Sequence, residues 1–249
     1  MMQRKKAPKY GVTSKALERK SYFELRIITM THFIELSHII EDGMRTYTGL
    51  PGPIISDHMN RETSREHYAP DTTFQIGKIE MVANTGTYID APFHRYESGI
   101  DLSELEIASV ADLDGLVIQV DEAARVIGPE SFNGKDVKDK AVLIQTGWSR
   151  HWGTDRYFDD HPYLTRESAE YLKSAGAVLV GIDSLNIDDN TDGTRPAHTI
   201  LLGAGIPIVE HLCNLAALPV AGFKFFAVPA PIKGMGSFPV RAFAIINPP

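Results

Sequence analysis

Residues 165–183, Thr-Arg-Glu-Ser-Ala-Glu-Tyr-Leu-Lys-Ser-Ala-Gly-Ala-Val-Leu-Val-Gly-Ile-Asp, read as a helix that feeds directly into a buried strand. Thr165 can cap the N-terminus, Glu167 suits the positive end of the helix dipole, and Ala169, Leu172 and Ala175 follow at helical spacing before Gly176 stops the helix. Ala177 to Ile182 are apolar without alternation, as a strand covered on both faces requires, and Asp183 follows immediately. A helix, an apolar strand and then an acid is how an α/β unit delivers a polar side chain to the end of a buried strand.

Working outward, the first strand is expected at Thr31 to Ser37, and others at Gln75 to Ala83, Leu116 to Val120, Ala141 to Gly147 and Phe223 to Val228. Each is short, rich in Val, Ile, Leu or Phe, and bounded by Gly, Pro or Asp. A second, shorter helix is expected from Val209 to Leu215, after the turn around Gly203, Gly205 and Pro207. No repeat or Gly/Ser/Pro linker interrupts the chain from residue 30 to 249, which reads as one domain. Residues 1–29, with Arg4, Lys5, Lys6, Lys9, Lys15, Arg19 and Lys20, lack the apolar run of a secretory signal and read as a disordered extension or an arm used in assembly.

The 249 residues, 43% of them hydrophobic, suffice for a sizeable core. A net charge of −7, with 25 basic and 32 acidic residues spread along the chain, argues against nucleic acid as a partner. No run of about eighteen apolar residues offers a membrane span. The single cysteine, Cys213, cannot form an internal disulfide, so the expected setting is the reducing cytoplasm.

The densest polar stretch is Asn84-Thr-Gly-Thr-Tyr-Ile-Asp-Ala-Pro-Phe-His94, just after an apolar strand. Gly86 and Pro92 are suited to a backbone bent so that Asp90 and His94 converge on one cavity. A carboxylate beside an imidazole suits metal ligation or general acid/base catalysis. By itself the pair fits equally an Asp that caps a turn and a His bonded to backbone.

The stretch resembles the signature of the cyclase family, which includes bacterial kynurenine formamidase and isatin hydrolase and reads H-x-G-T-H-x-D-x-P-x-H. The resemblance runs from residue 31 to 247. It takes in Leu36-Ser-His38, Pro51-Gly52, Gly99 with Asp101-Leu102, Thr146-Gly-Trp-Ser149, Gly181-Ile-Asp-Ser184, and Leu201 to Glu210 continuing to Asn214-Leu215. It implies an α/β fold: a single domain with a central mixed β-sheet, flanking helices and a smaller antiparallel layer, assembled as a homodimer or homotetramer.

The resemblance also implies a site, with two departures. In the family the first two histidines of the signature and its Asp bind metal, and the last His acts as acid and base. Here Asp90 and His94 are kept, while Asn84 and Tyr88 replace the two leading histidines. The family's downstream His and Glu fall on His198 and Glu210. The expected ligands of one divalent metal ion, Zn²⁺ or Mn²⁺, are therefore Asp90, His198 and Glu210. His94 is the expected proton shuttle, and Tyr88 a phenol able to donate to a developing oxyanion. Asn84, His38 and Asp183 are candidate pocket residues, Asp183 also as a partner that orients His198. Trp148, Trp152, Tyr157 and Phe158 read as core or subunit contact, and His151, His161 and His211 as surface or packing residues.

The function implied is hydrolysis of a C–N bond in a small linear amide or a cyclic imide or lactam, arylformamidase-like, by metal-activated water. The replaced histidines keep two alternatives open: a metal-free enzyme of the lyase or dehydratase kind, and a protein that binds a small ligand without catalysis.

Overall fold

The computed structural model describes residues 31–246. The expected extension or arm at residues 1–29 lies outside the described residues. In chain order the strands are β1 (His32–Glu35), β2 (Ile54–Met59), β3 (Ile76–Glu80), β4 (Tyr88–Asp90), β5 (Leu113–Gln119), β6 (Val126–Ile127), β7 (Lys140–Gln145), β8 (Tyr163–Leu164), β9 (Leu179–Ile182), β10 (Ile208–Glu210), β11 (Ala221–Phe226), β12 (Ser237–Pro239) and β13 (Phe243–Ile246). Among the described residues the α-helices are α1 (Arg61–Ser64), α2 (Arg166–Ser174) and α3 (Pro196–Gly203).

Nine strands form one mixed sheet in the order β1-β13-β11-β5-β7-β9-β10-β4-β12, parallel from β5 to β10 and antiparallel on both flanks. β2 and β3 form the smaller antiparallel layer. The parallel centre is apolar because it is covered on both sides. Alternate residues of each central strand enter two separate clusters: Val117, Leu143 and Leu179 on one face, and Leu116, Ile118, Val142, Ile144, Val180 and Ile182 on the other. Helices α2, through Ala169 and Leu172, and α3, through Ala197, Ile200, Leu201 and Leu202, cover the second face.

The helix and strand expected at 165–183 are α2 and β9. Thr165 accepts from the Ser168 amide, and Gly176 adopts a φ of +84° just past the last turn. The helix expected from Val209 to Leu215 does not form. β-Branched Ile208 and Val209 instead join β10 alongside β9, and His211 and Asn214 both take positive φ, which no helix tolerates. Neither short α1 nor α3 was expected, although Pro196 at the first turn of α3 and Gly203 at its end are the residues a helix favours there. Helix α3 is buried on nearly every side, so it lacks the polar face that reveals a surface helix. No described helix is long and apolar enough to cross a membrane.

Candidate active-site cleft

The site grows from the register of three adjacent strands. Glu210 of β10 lies opposite Tyr88 of β4, and Asp90 of β4 lies opposite Ser237 of β12. Directly paired residues share a face, as do residues two apart on one strand, so all four side chains project from the same side of the sheet. Ile208, two residues before Glu210, packs into the α3-covered cluster, and α3 therefore brings His198 to the same place. After β4 the chain turns through the 3-10 segment Pro92–His94, which swings His94 back over Asp90. Gly86, at φ +66°, and Pro92, at the start of that turn, shape the backbone as their residue types lead one to expect. Gly236 lets β12 press against the turn, since a Cβ there would overlap the backbone of His94.

Asp90 and Glu210 are wholly buried and His198 is 6% exposed. His198 Nε2 stands 3.6 Å from Asp90 Oδ2 and 3.7 Å from Glu210 Oε1. Its Nδ1 lies 2.6 Å from the carboxylate of Asp188, which also accepts the backbone amides of Ala197 at 2.6 Å and His198 at 3.0 Å. A carboxylate only accepts, so Nδ1 carries the hydrogen and Nε2 faces the two acids. Burial alone would depress the His198 imidazolium, but Asp188, Asp90 and Glu210 outweigh it and push it up to about 10. Burial raises the Glu210 carboxyl, against the pull of the His198 charge.

Ser237 links the other two groups. Its Oγ hydrogen-bonds Asp90 Oδ1 and lies 2.8 Å from His94 Nδ1. The hydroxyl has one proton, and Asp90 can only accept it. Ser237 therefore accepts from His94 Nδ1–H, and the free lone pair of His94 is on Nε2. Tyr88 donates its phenol proton to Glu210 Oε2, and Tyr47 OH stands 3.2 Å from the same oxygen. Burial, and then the Glu210 charge, holds both phenols well above their ordinary value, so both stay protonated. The Tyr88 proton is thereby committed to fixing Glu210 rather than free for an oxyanion in the cleft.

Tyr47, Tyr88, His94 and His198 floor a cleft of about 240 Å³, lined also by Asn84, Leu50, Arg95, Asn186 and Arg195. Of the residues named from the sequence, Asp90, His94, His198, Glu210, Tyr88 and Asn84 are brought together. His38 and Asp183 are not. Both line a separate cavity of about 910 Å³, where His38 stacks on Trp152 at 3.9 Å. Asp183 follows Ile182 on a strand whose side chains alternate, so it faces away from the Ile182 side, where the site lies. There it accepts from the Thr146 and Gly147 amides at 2.7 and 2.9 Å. The acid that orients His198 is Asp188. Asp188, Tyr47, Asn186 and Ser237 were missed. Only Asp188 left a trace in the sequence, as an acid in the turn leading to Pro196, where a helix N-terminus wants a carboxylate.

One donor atom from each of Asp90, His94 and His198 lies within 4.8 Å of the other two. Asp90 Oδ2 is buried with no hydrogen-bond partner among the described residues, although buried carboxylate oxygens are normally satisfied. Ligands at about 2.0–2.1 Å around a tetrahedral ion stand roughly 3.3–3.4 Å apart. The separations of 3.6 and 3.7 Å about His198 Nε2 thus need only a small contraction. The imidazole and carboxylate donors of Asp90, His94 and His198, with the orphaned Asp90 oxygen among them, fit a divalent cation; Glu210 is near His198 but stands outside that group, its Oε1 already accepting from the Ile187 amide at 2.7 Å. On the Glu210 side the phenols of Tyr88 and Tyr47 occupy the space beside Oε2.

A family model described as "Putative cyclase" matches residues 34–189. The kynurenine formamidase of Geobacillus thermodenitrificans is 32% identical over 215 residues, which span 86% of this chain and 97% of that protein. The Bacillus cytotoxicus kynurenine formamidase is 31% identical over 179 residues, 70% of this chain and 80% of its own. An isatin hydrolase crystallised with the product analogue thioisatinate shares the fold, with a TM-score of 0.74 at 18% identity over 95% of this chain and 100% of that one.

Proposed function

The chain belongs to the cyclase family, and from that premise we propose that it hydrolyses a C–N bond in a small linear amide or a cyclic imide or lactam. The observation that carries the reading is the buried trio Asp90, His198 and Glu210, with its orphaned carboxylate oxygen, directly beside His94. Those three residues would hold one divalent ion, Zn²⁺ or Mn²⁺, which when bound supplies a Lewis acid for a carbonyl oxygen and makes water acidic enough to attack near neutral pH.

The chain's own groups do the rest. Asp188 holds His198 with Nε2 turned to the site, and Tyr88 and the Ile187 amide hold Glu210. Ser237 keeps His94 Nδ1 protonated, so that Nε2 is the atom that accepts a proton. The His94 side chain is 35% exposed, enough to meet a substrate, whereas Asp90 behind it is sealed. Water oxygen bonds to the carbonyl carbon, His94 takes its proton and passes it to the departing nitrogen, and the C–N bond breaks to give a carboxylic acid and an amine.

The test is turnover of a panel of formanilides and small lactams by wild type and His94→Ala, with metal content determined on the same preparations. Loss of about 10² to 10⁴ in rate in His94→Ala supports the proton-shuttle role, and an unchanged rate refutes it. About one ion per chain, lost in His198→Ala, supports the three-ligand site. Full activity in metal-free protein would overturn it in favour of a metal-free enzyme.

A further inference from the structure

The floor of the cleft is made by His94, His198 and Tyr88, with buried acids behind them, and its rim is basic. Asp90, Glu210 and Asp188 are buried behind His198, and Arg95 and Arg195 line the opening. Neither arginine forms an ion pair within the described residues. Arg95 lies against the Tyr96 ring, at 5.3 Å, and spends only its Nε hydrogen, on Thr199 Oγ1 at 3.2 Å.

Arg195 is the more committed of the two. Its backbone adopts φ +46° and ψ +63° immediately before Pro196, a left-handed conformation that a long side chain seldom takes. Its Nη1 is fixed by Asn190 Oδ1 at 2.7 Å and Asn186 Oδ1 at 3.3 Å. Asn186 in turn donates to Tyr47 OH at 2.7 Å, so the guanidinium is tied to the network that holds Glu210. A guanidinium has five N–H donors. With both Nη1 hydrogens used, the Nε and Nη2 edge is left without a partner among the described residues, and that edge has the spacing of a carboxylate's two oxygens.

We propose that the substrate is an amide carrying a carboxylate, which Arg195 grips through its Nε and Nη2 edge, with Arg95 adding charge, while the scissile carbonyl points to His94 and His198. The cleft volume of about 240 Å³ suits one aromatic ring with two small substituents. This assignment rests on the reading of the cleft as an amide-hydrolysing site.

The experiment compares the three formamidobenzoate isomers with formanilide, which lacks only the carboxylate, in wild type, Arg195→Asn and Arg195→Lys. Asn tolerates the left-handed backbone, so the first variant keeps the loop. At least one isomer is expected to exceed formanilide in kcat/KM by about 10- to 100-fold, the range that charged hydrogen bonds command, chiefly through KM. That ratio should fall at least tenfold in Arg195→Asn and recover in part in Arg195→Lys. Equal turnover of formanilide and every isomer, or a preference that survives Arg195→Asn, overturns the proposal.

A binding arm separates this inference from the hydrolase reading. Calorimetry with benzoate and benzamide on chelator-treated protein needs no turnover. Benzoate bound about tenfold more tightly than benzamide, with the preference lost in Arg195→Asn, upholds the anion site even if no amide in the panel is hydrolysed. Equal binding of the two, or displacement of benzoate by equimolar inorganic phosphate, overturns the carboxylate assignment.

Discussion

Replacing Asp188 with Asn tests the central geometric claim, because it changes one atom of the group that sets the orientation of His198. The carboxylate accepts three hydrogen bonds, from the Ala197 amide, the His198 amide and His198 Nδ1. An amide of the same shape keeps one acceptor oxygen, which can stay on Ala197. Its NH₂ then meets the His198 backbone N–H and Nδ1, both donors in wild type. In the neutral imidazole that metal binding requires, one conflict is relieved if the ring changes tautomer, so that Nδ1 accepts and Nε2 carries the hydrogen. The other remains. Loss of one or two hydrogen bonds to a charged group, at about 1.5–3 kcal/mol each, predicts a fall of roughly 2–4 kcal/mol in unfolding free energy. A protonated Nε2 cannot ligate, and loss of the group that orients a metal-binding His commonly costs about 10- to 100-fold in affinity. The assay is chelator competition for Zn²⁺ and Mn²⁺ beside urea denaturation on the same samples. Asp183→Asn is the control, since it disturbs an equally buried Asp whose bonds to Thr146 and Gly147 lie in the other cavity. Metal affinity within twofold of wild type in Asp188→Asn, or an equal loss in Asp183→Asn, would refute the reasoning.

Three further outcomes are expected. Ser237→Ala removes the hydroxyl shared by Asp90 and His94, and kcat should fall about tenfold or more with a smaller change in KM, partly rescued by Ser237→Thr; steady-state kinetics with the best amide substrate checks this. Tyr88→Phe withdraws the proton donated to buried Glu210 and should cost about 1–3 kcal/mol in urea unfolding, with an effect on metal affinity that Asn84→Ala does not match. Burial holds His38 down to about 4, below the 6.5 of the unfolded chain, so between those values the unfolded state binds more protons. Stability from this residue is complete above pH 6.5 and lost as the pH falls towards 4. Burial also lowers His161 and His211, which act in the same direction, while it raises Asp183 to about 6, which acts in the opposite one. The difference between wild type and His38→Phe, which keeps a ring against Trp152, isolates the residue and should grow by about 2–3 kcal/mol from pH 7 to pH 4 in unfolding titrations.

Local order is what the linear sequence determined. The Thr165 cap, the helical spacing up to Ala175, the Gly176 stop and the apolar run that follows are interactions between near neighbours, and they yielded α2 and β9. The resemblance of residues 84–94 to a signature, with Asn84 and Tyr88 out of pattern, identified most of the floor of the cleft and which imidazoles it lacks. Where local signals were silent or ambiguous, the reading failed. The run from Val209 to Leu215 can be helix or strand until β9 and β4 offer it partners, and α3 carries no polar stripe because the sheet, α2 and the cleft surround it. The supporting residues were illegible for the same reason. Tyr47 stands 163 positions from Glu210, and Ser237 stands 147 from Asp90. The cross-strand register of β4 and β12 and the close seat of Gly236 bring Ser237 to Asp90, and the turn between β1 and β2 folds back to bring Tyr47 to Glu210. The parity of β9 decided Asp183, turning it to the opposite face from the site, because a strand reverses its side chains at every residue and position along the chain does not reveal which face will hold the chemistry.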